Sequence, residues 1–205
     1  MVAGLSNMKM SNKSRKITRI IACGVFKPAI DYLRLEERYP HLRLTYLASK
    51  LHLKPQELER LLLREIVKAK KRNERIICLY GECFPDISEF CKRHGVLKVP
   101  GHYCYEMLLG AERFKELIDE MAGTYFLEED LIINFEEYCM KPLELEDEEM
   151  RKQCFEQYKR LLYVRQPTDA DLMPRASELA DFLELSLEIR DADYSYLEGK
   201  LTKLI

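Results

Sequence analysis

Arg75-Ile76-Ile77-Cys78-Leu79-Tyr80-Gly81-Glu82-Cys83-Phe84-Pro85 is the stretch that decides the fold. An unbroken apolar run closed by glycine and proline reads as a strand buried on both faces. Such strands belong to parallel sheets covered by helices. Ile87 to Arg93 follows as a short helix, which Gly95 ends. The turn from Gly81 to Asp86 therefore lies at a strand's carboxyl end, where open α/β sheets bind their ligands.

The same unit recurs along the chain. Ile17–Cys23 is a β-branched run ending at Gly24, and Pro28 suits the first turn of a helix that stops near Tyr39-Pro40. Leu42–Leu47 is a second strand. Leu58, Leu61, Leu62, Ile66 and Val67 then mark a long helix opened by Pro55 and ending near Asn73. Val96–Val99 is a short fourth strand. His102 to Leu109 is a helical turn or two broken at Gly110, and Ala111 to Met121 is a further helix. Thr124–Leu127 reads as a strand and Leu131–Cys139 as a helix, though the boundary between them is ambiguous. A helix carrying Phe155, Tyr158 and Leu161 comes next, then strands at 161–165 and 187–190, each followed by a helix. The alternation predicts a three-layer, doubly wound α/β fold with a mostly parallel sheet flanked by helices. Residues 16–205 read as a single domain and residues 1–15 as a flexible segment.

Of the 205 residues, 47% are hydrophobic and 33% charged, enough for a self-supporting core. A net charge of −2 exerts no pull on nucleic acid or an anionic membrane. The basic run Lys68-Ala69-Lys70-Lys71-Arg72 reads as the solvated end of a helix. No apolar run approaches the ~18–20 residues of a membrane span, and the polar start lacks the apolar stretch of a secretion signal. With seven cysteines, these features point to a reducing cytoplasm and free thiols.

Three thiols stand apart. Cys23, Cys83 and Cys104, in Ala22-Cys23-Gly24, Gly81-Glu82-Cys83 and Gly101-His102-Tyr103-Cys104, each sit where an apolar run gives way to a helix. Meeting at one rim, they suit zinc, an iron–sulfur cluster, or a cobalt or nickel centre. His52 and His102 are candidate further ligands. Three thiolates and an imidazole make a closed zinc set, whereas three thiolates alone leave a position open. Helix N-termini lower thiol pKa values and favour the thiolate. The plainer reading makes these cysteines small apolar fillers in tight turns, since no CxxC pair is present. Gly24, Gly81 and Tyr103 border the thiols and are candidates for cofactor contact. Glu82 is a candidate acid or base, or equally a capping or ribose-binding carboxylate. Asp86 reads as a helix cap, and Cys78, Cys91, Cys139 and Cys154 as packing. No GxGxxG, Walker loop or GxSxG is present, which excludes standard dinucleotide, nucleotide triphosphate and α/β-hydrolase chemistry.

Ile21-Ala22-Cys23-Gly24, then Leu51-His52-Leu53-Lys54-Pro55-Gln56-Glu57-Leu58, then Leu79-Tyr80-Gly81-Glu82-Cys83, then Tyr103-Cys104-Tyr105-Glu106-Met107-Leu108-Leu109-Gly110, resemble in this order the domain-of-unknown-function family 1638 of methanogenic archaea and anaerobic bacteria. The resemblance runs from about Ile17 to Leu204 and includes the closing Asp193-Tyr194-Ser195-Tyr196-Leu197. It implies a companion of corrinoid-dependent methyl transfer, with a corrinoid protein or corrinoid methyltransferase as partner. It also implies a shared metal or corrinoid site at Cys23, Cys83 and Cys104. Many members have glycine where this chain has Phe84, which either narrows the site or fills an open face. Three expectations follow. The first is a metal- or metallo-cofactor-binding protein of one-carbon metabolism. The second is a zinc-dependent methyltransferase-type enzyme. The third is a metal-free adaptor or chaperone with structural cysteines.

Overall fold

The structure, a computed structural model, describes residues 16–205, so the flexible segment expected at 1–15 lies outside the described residues. β1 (Thr18–Cys23) is central to the first sheet. It pairs in parallel with β2 (Leu42–Leu47) on one side and β3 (Arg75–Leu79) on the other, and β3 pairs with β4 (Leu97–Lys98). The connections carry α1 (Lys27–Tyr32), α2 (Leu35–Arg38), α3 (Pro55–Lys71) and α4 (Ile87–Arg93). The last turn of α3 holds Lys68, Lys70 and Lys71, so the basic run is a helix end, as its sequence predicts.

Parallel sheets flanked by helices are what the alternating pattern predicts, with one difference: the strands divide between two sheets. α5 (Cys104–Leu109) and α6 (Ala111–Glu120) lead into the second. Its strands β5 (Thr124–Leu127), β6 (Arg160–Arg165) and β7 (Ser186–Asp191) also pair in parallel, in sequence order. α7 (Glu129–Ile133), a π-helical turn over Glu136–Met140, α8 (Glu148–Phe155), α9 (Met173–Leu183) and α10 (Ser195–Thr202) complete the chain. The ambiguous stretch is thus β5 followed directly by α7.

Strand periodicity explains how the sheets join. Side chains alternate between the two faces of a strand. On β6, Leu161 and Tyr163 enter one core with Leu127, Phe135 and Leu179. Leu162 and Val164 enter the other, with Ile20, Ile77, Leu108 and Leu197. That second core also holds the inward residues of the first sheet, so both sheets bury surface in it. Each fully buried aliphatic side chain contributes about 1.5–3 kcal/mol against exposure.

Three local expectations are corrected. The helix from Ala29 does not run unbroken to Tyr39: Arg34 takes a left-handed conformation (φ 49°) and divides α1 from α2. The helix carrying Phe155 stops there rather than reaching Leu161, because Phe155, Tyr158 and Tyr125 cluster with ring centroids 5.1–5.5 Å apart. Asp86 sits at the cap position of α4, but its side chain accepts no capping hydrogen bond.

One buried charge was not expected. Arg160, at the start of β6, is fully buried. Its guanidinium donates to Thr124 Oγ1 (2.7 Å), the Leu117 carbonyl (2.6 Å) and Glu188 Oε2 (3.0 Å). A longer contact reaches Glu120 (3.3 Å). Among the described residues no helix is long and apolar enough to cross a membrane.

Candidate functional site

The carboxyl ends of β1, β2, β3 and β5 surround a cavity of about 210 Å³. Strand ends in parallel sheets form such crevices because the returning helices leave space there. Cys23, the last residue of β1, lines it with Val25 and Phe26 from the turn that follows. Ser49 and His52 come from the turn after β2, and Gly81, Glu82 and Cys83 from the turn after β3. His102, Tyr103, Cys104 and Tyr105 enter from the start of α5, and Glu128, Asp130 and Leu131 from the end of β5 and α7. Tyr138 closes the wall. Cys23, Cys83 and Cys104, predicted to share one rim, therefore do line one cavity, together with His52, His102, Glu82, Gly81 and Tyr103.

Gly81 makes this convergence possible. A Cβ on Gly81 would lie 2.5 Å from the His102 carbonyl oxygen, which also accepts a hydrogen bond from the Glu82 amide (2.7 Å). Only glycine lets these two loops touch, and the contact brings Cys83 and Cys104 together. Tyr80 anchors the same strand end by donating to the Ala22 carbonyl (3.2 Å). Gly81→Ala is expected to destabilise the fold by about 1–3 kcal/mol, the usual cost of overpacking, and to increase alkylation of Cys83 and Cys104. Urea unfolding and mass-spectrometric counting of labelled thiols check this. A variant matching the parent in both would remove the glycine from the account.

Gly24 is different. It is absent from the cavity lining, and its Cβ direction faces the Leu47 carbonyl and Ser49 amide at 3.3–3.4 Å. It lets β1 turn close beside β2 and does not contact the cavity. Phe84 neither narrows the site nor fills its face. It is buried in the core against Phe90, with centroids 5.4 Å apart and rings perpendicular.

Burial governs the thiols. Cys23 is pushed up to about 12. Cys104 is also raised, first by burial and then by the charges of Glu128, Cys23 and Cys83. Cys83 is raised by burial, with a backbone hydrogen bond and nearby Lys98 acting against it. The thiolate-favouring effect expected from helix starts is outweighed: α5 is six residues long, and desolvation of a buried anion is the larger effect. At neutral pH all three are protonated thiols. Cys91, predicted to be packing, is the cysteine with a lowered value. The neighbouring Cys78 thiol hydrogen-bonds it, and Lys98 is close by.

The two imidazoles are loosely placed. His102 is exposed, with Nδ1 3.6 Å from Glu106 Oε2. His52 is exposed, with Nδ1 2.8 Å from the Ser49 carbonyl oxygen. Among the described residues, no group of three His, Cys, Asp or Glu side chains is placed to hold a metal ion. As they stand, the three thiols and either histidine do not make a closed tetrahedral zinc set. Their chemistry suits a thiophilic group, and they surround a space rather than a point. Glu82 lies at the mouth, held by Lys98 Nζ (3.1 Å) and by a hydrogen bond from Ser88 Oγ (3.0 Å).

The residues not foreseen are Glu128, Asp130, Ser49 and Tyr138. Ser49 Oγ donates to Asp130 Oδ2 (2.5 Å) and lies 3.5 Å from the Tyr138 hydroxyl, which ties the end of β2 to α7. Glu128 is 5% exposed and caps α7, accepting from the amides of Asp130 (2.8 Å) and Leu131 (3.0 Å). Burial raises its carboxyl to about 8 despite those donors, and the carboxylates of Asp130 and Asp169 add to the rise. It is therefore a mostly protonated carboxylic acid in the thiol cavity at neutral pH, a form able to donate a hydrogen bond or a proton. The acidic run Glu128-Glu129-Asp130 before an apolar triplet is a helix-start signature that could have found it.

A family model described as "Protein of unknown function (DUF1638)" matches residues 46–201. Cys83, Cys104 and Glu128 fall inside the matched stretch, and Cys23 falls before it. No curated protein and no solved structure matches the chain.

Proposed function

The chain belongs to the family described as Protein of unknown function (DUF1638), and from the cavity it carries we propose that it binds a metallo-cofactor through Cys23, Cys83 and Cys104. The observation that carries this reading is the convergence of three thiols, from three separate strand ends, on one cavity. The cavity they share also holds a protonated carboxyl, Glu128. Soft thiols set around a space rather than a point suit an iron–sulfur cluster or a corrinoid better than a single ion. Such a group would supply soft-metal or methyl-carrying chemistry when bound.

The protein's own contribution is shelter and proton supply. Val25, Phe26, Leu131 and Tyr138 give the cavity an apolar wall, and Glu128 holds a proton beside Cys23 and Cys104. Protonated thiols are poor nucleophiles, so a free-thiolate reaction is the less supported role. A place in one-carbon metabolism, beside a corrinoid protein or corrinoid methyltransferase in the cytoplasm, belongs to this same proposal.

Protein prepared without oxygen is expected to carry iron or to take up iron with sulfide, or to bind hydroxocobalamin, in one-to-one amount. Cys83→Ser and Cys104→Ser are expected to lose at least about tenfold in affinity, the measure of one lost strong ligand. Metal analysis and absorption spectra read the result. Protein that arrives metal-free and ignores added zinc, iron and cobalamin refutes the proposal.

A further inference from the structure

A second cavity, of about 450 Å³, is lined chiefly by α4 and β4 and shares Glu82 and His102 with the first. Cys91 of α4 and Lys98 of β4 border it, and Cys78 of β3 hydrogen-bonds Cys91 from within the core. Strand register accounts for this grouping. Cys78 and Lys98 are Cα partners in the parallel pair of β3 and β4, so their side chains leave the sheet on the same face. The backbone fixes the arrangement: the Val99 amide donates to the Cys78 carbonyl (2.9 Å), and the Val96 amide donates to the Cys91 carbonyl (2.9 Å). Lys98 Nζ lies 3.1 Å from Glu82 Oε1 and donates to the Gly101 carbonyl (2.9 Å), and Lys92 lines the same space. Neither Cys78 nor Cys91 lines the first cavity, so the pair is independent of any cofactor held there.

The two sulfurs are not equivalent. Cys78 is fully enclosed, whereas Cys91 faces the cavity that holds Lys92 and Lys98. Their shared hydrogen bond holds the Cys91 thiol below its usual range and the Cys78 thiol well above it. Lys98 also lowers Cys91, against burial and Glu82. Cys91 is therefore the sulfur that gives up its proton first, and the thiolate is the reactive form. It is 1% exposed, which disfavours the in-line approach of a bulky disulfide and leaves small oxidants that enter by the cavity. We propose that Cys91 and Cys78 are a redox pair, which a small hydroperoxide closes into a disulfide. With hydrogen peroxide, the Cys91 sulfur attacks one oxygen; the O–O bond breaks, the S–O bond of a sulfenic acid forms, and hydroxide leaves. The Cys78 sulfur then attacks the Cys91 sulfur; the S–S bond forms, the S–O bond breaks, and the oxygen leaves as water with the Cys78 proton. The two sulfurs together lose two electrons and the peroxide gains them. A dithiol reductant returns both electrons and opens the bridge. Transient, redox-sensing bridges are the kind that a reducing compartment admits.

The test takes the full chain, reduced and then exposed to hydrogen peroxide, with the remaining thiols alkylated and the peptides read by mass spectrometry. A Cys78–Cys91 cross-linked peptide is expected before any link that involves Cys23, Cys83 or Cys104, and dithiothreitol is expected to reverse it. Oxidised glutathione is expected to form it at least about tenfold more slowly. Cys78→Ser keeps a hydrogen-bond donor beside Cys91 but cannot close the bridge, so dimedone is expected to trap a sulfenic acid at Cys91. In Cys91→Ser, Cys78 is expected to stay a thiol. Circular dichroism checks that both variants fold, and the cross-link in the parent protein depends on neither. Oxidation that first joins other cysteines, that stops at Cys91 without a bridge in the parent, or that leaves both thiols intact overturns the proposal. A sulfenic acid at Cys78 in Cys91→Ser, none at Cys91 in folded Cys78→Ser, or oxidised glutathione acting as fast as peroxide overturns it equally.

Discussion

Arg160→Ala is expected to destabilise the protein by about 2–5 kcal/mol, the cost of emptying a fully buried side-chain site and losing its hydrogen bonds. The side chain is fully enclosed, and its three close contacts span three elements: Thr124 on β5, the Leu117 carbonyl on α6 and Glu188 on β7. Truncation removes the guanidinium donors from the Leu117 carbonyl, which keeps only the Met121 amide, and from the Thr124 hydroxyl, opens a cavity the size of the side chain, and leaves Glu188 with Arg190 alone. Arg160→Met tests the charge apart from the volume. It fills the space but donates nothing, so it should fall between the parent and Ala. Urea unfolding followed by circular dichroism measures both variants. A loss below about 1 kcal/mol for Ala would show that the network is stabilised elsewhere.

Glu128→Gln is expected to change how stability depends on pH. The folded carboxyl titrates near 8 and the ordinary value is 4.5. Below about 4.5 both folded and unfolded chains hold the proton, and this contribution is fully present. As pH rises toward 8 the unfolded chain releases its proton while the folded one keeps it, so stability falls, by up to about 1.4 kcal/mol per pH unit. Above 8 the loss is complete. Gln has no proton to lose, so its curve lacks this slope. It also makes a poorer cap for the amides of Asp130 and Leu131, which lowers its stability at pH 5 by about 1 kcal/mol. The two curves should therefore cross, with the variant the more stable by pH 9. Parallel curves from pH 5 to 9 would show that Glu128 is already ionised in the folded protein.

Much of the fold can be read from runs of residues, and the exceptions have physical causes. β1 and β3 are apolar stretches bounded by Gly, Pro or polar residues, which is how doubly buried strands announce themselves, and β2 at the sheet edge shows the alternation of a half-exposed strand. The division into two sheets has no local signature, because pairing between distant strands is decided by packing. The interruption at Arg34 was hidden because a left-handed residue other than glycine or asparagine carries little sequence signal. At the site, the positions of Cys23, Cys83 and Cys104 followed from strand ends. Their protonation did not, since burial depends on residues such as Leu131 and Tyr138 that line the same cavity from elsewhere in the sequence. Glu128 was missed for a related reason: its strand and helix met within a stretch where the two periodicities overlap.

The alternation on β6 makes that strand a two-channel reporter. Shortening Leu161 or Tyr163 loosens the packing against α9, whereas shortening Leu162 or Val164 loosens the layer between the sheets. A residue-by-residue scan, followed by hydrogen exchange, should therefore show the weakened amides switching sides of the molecule at every step.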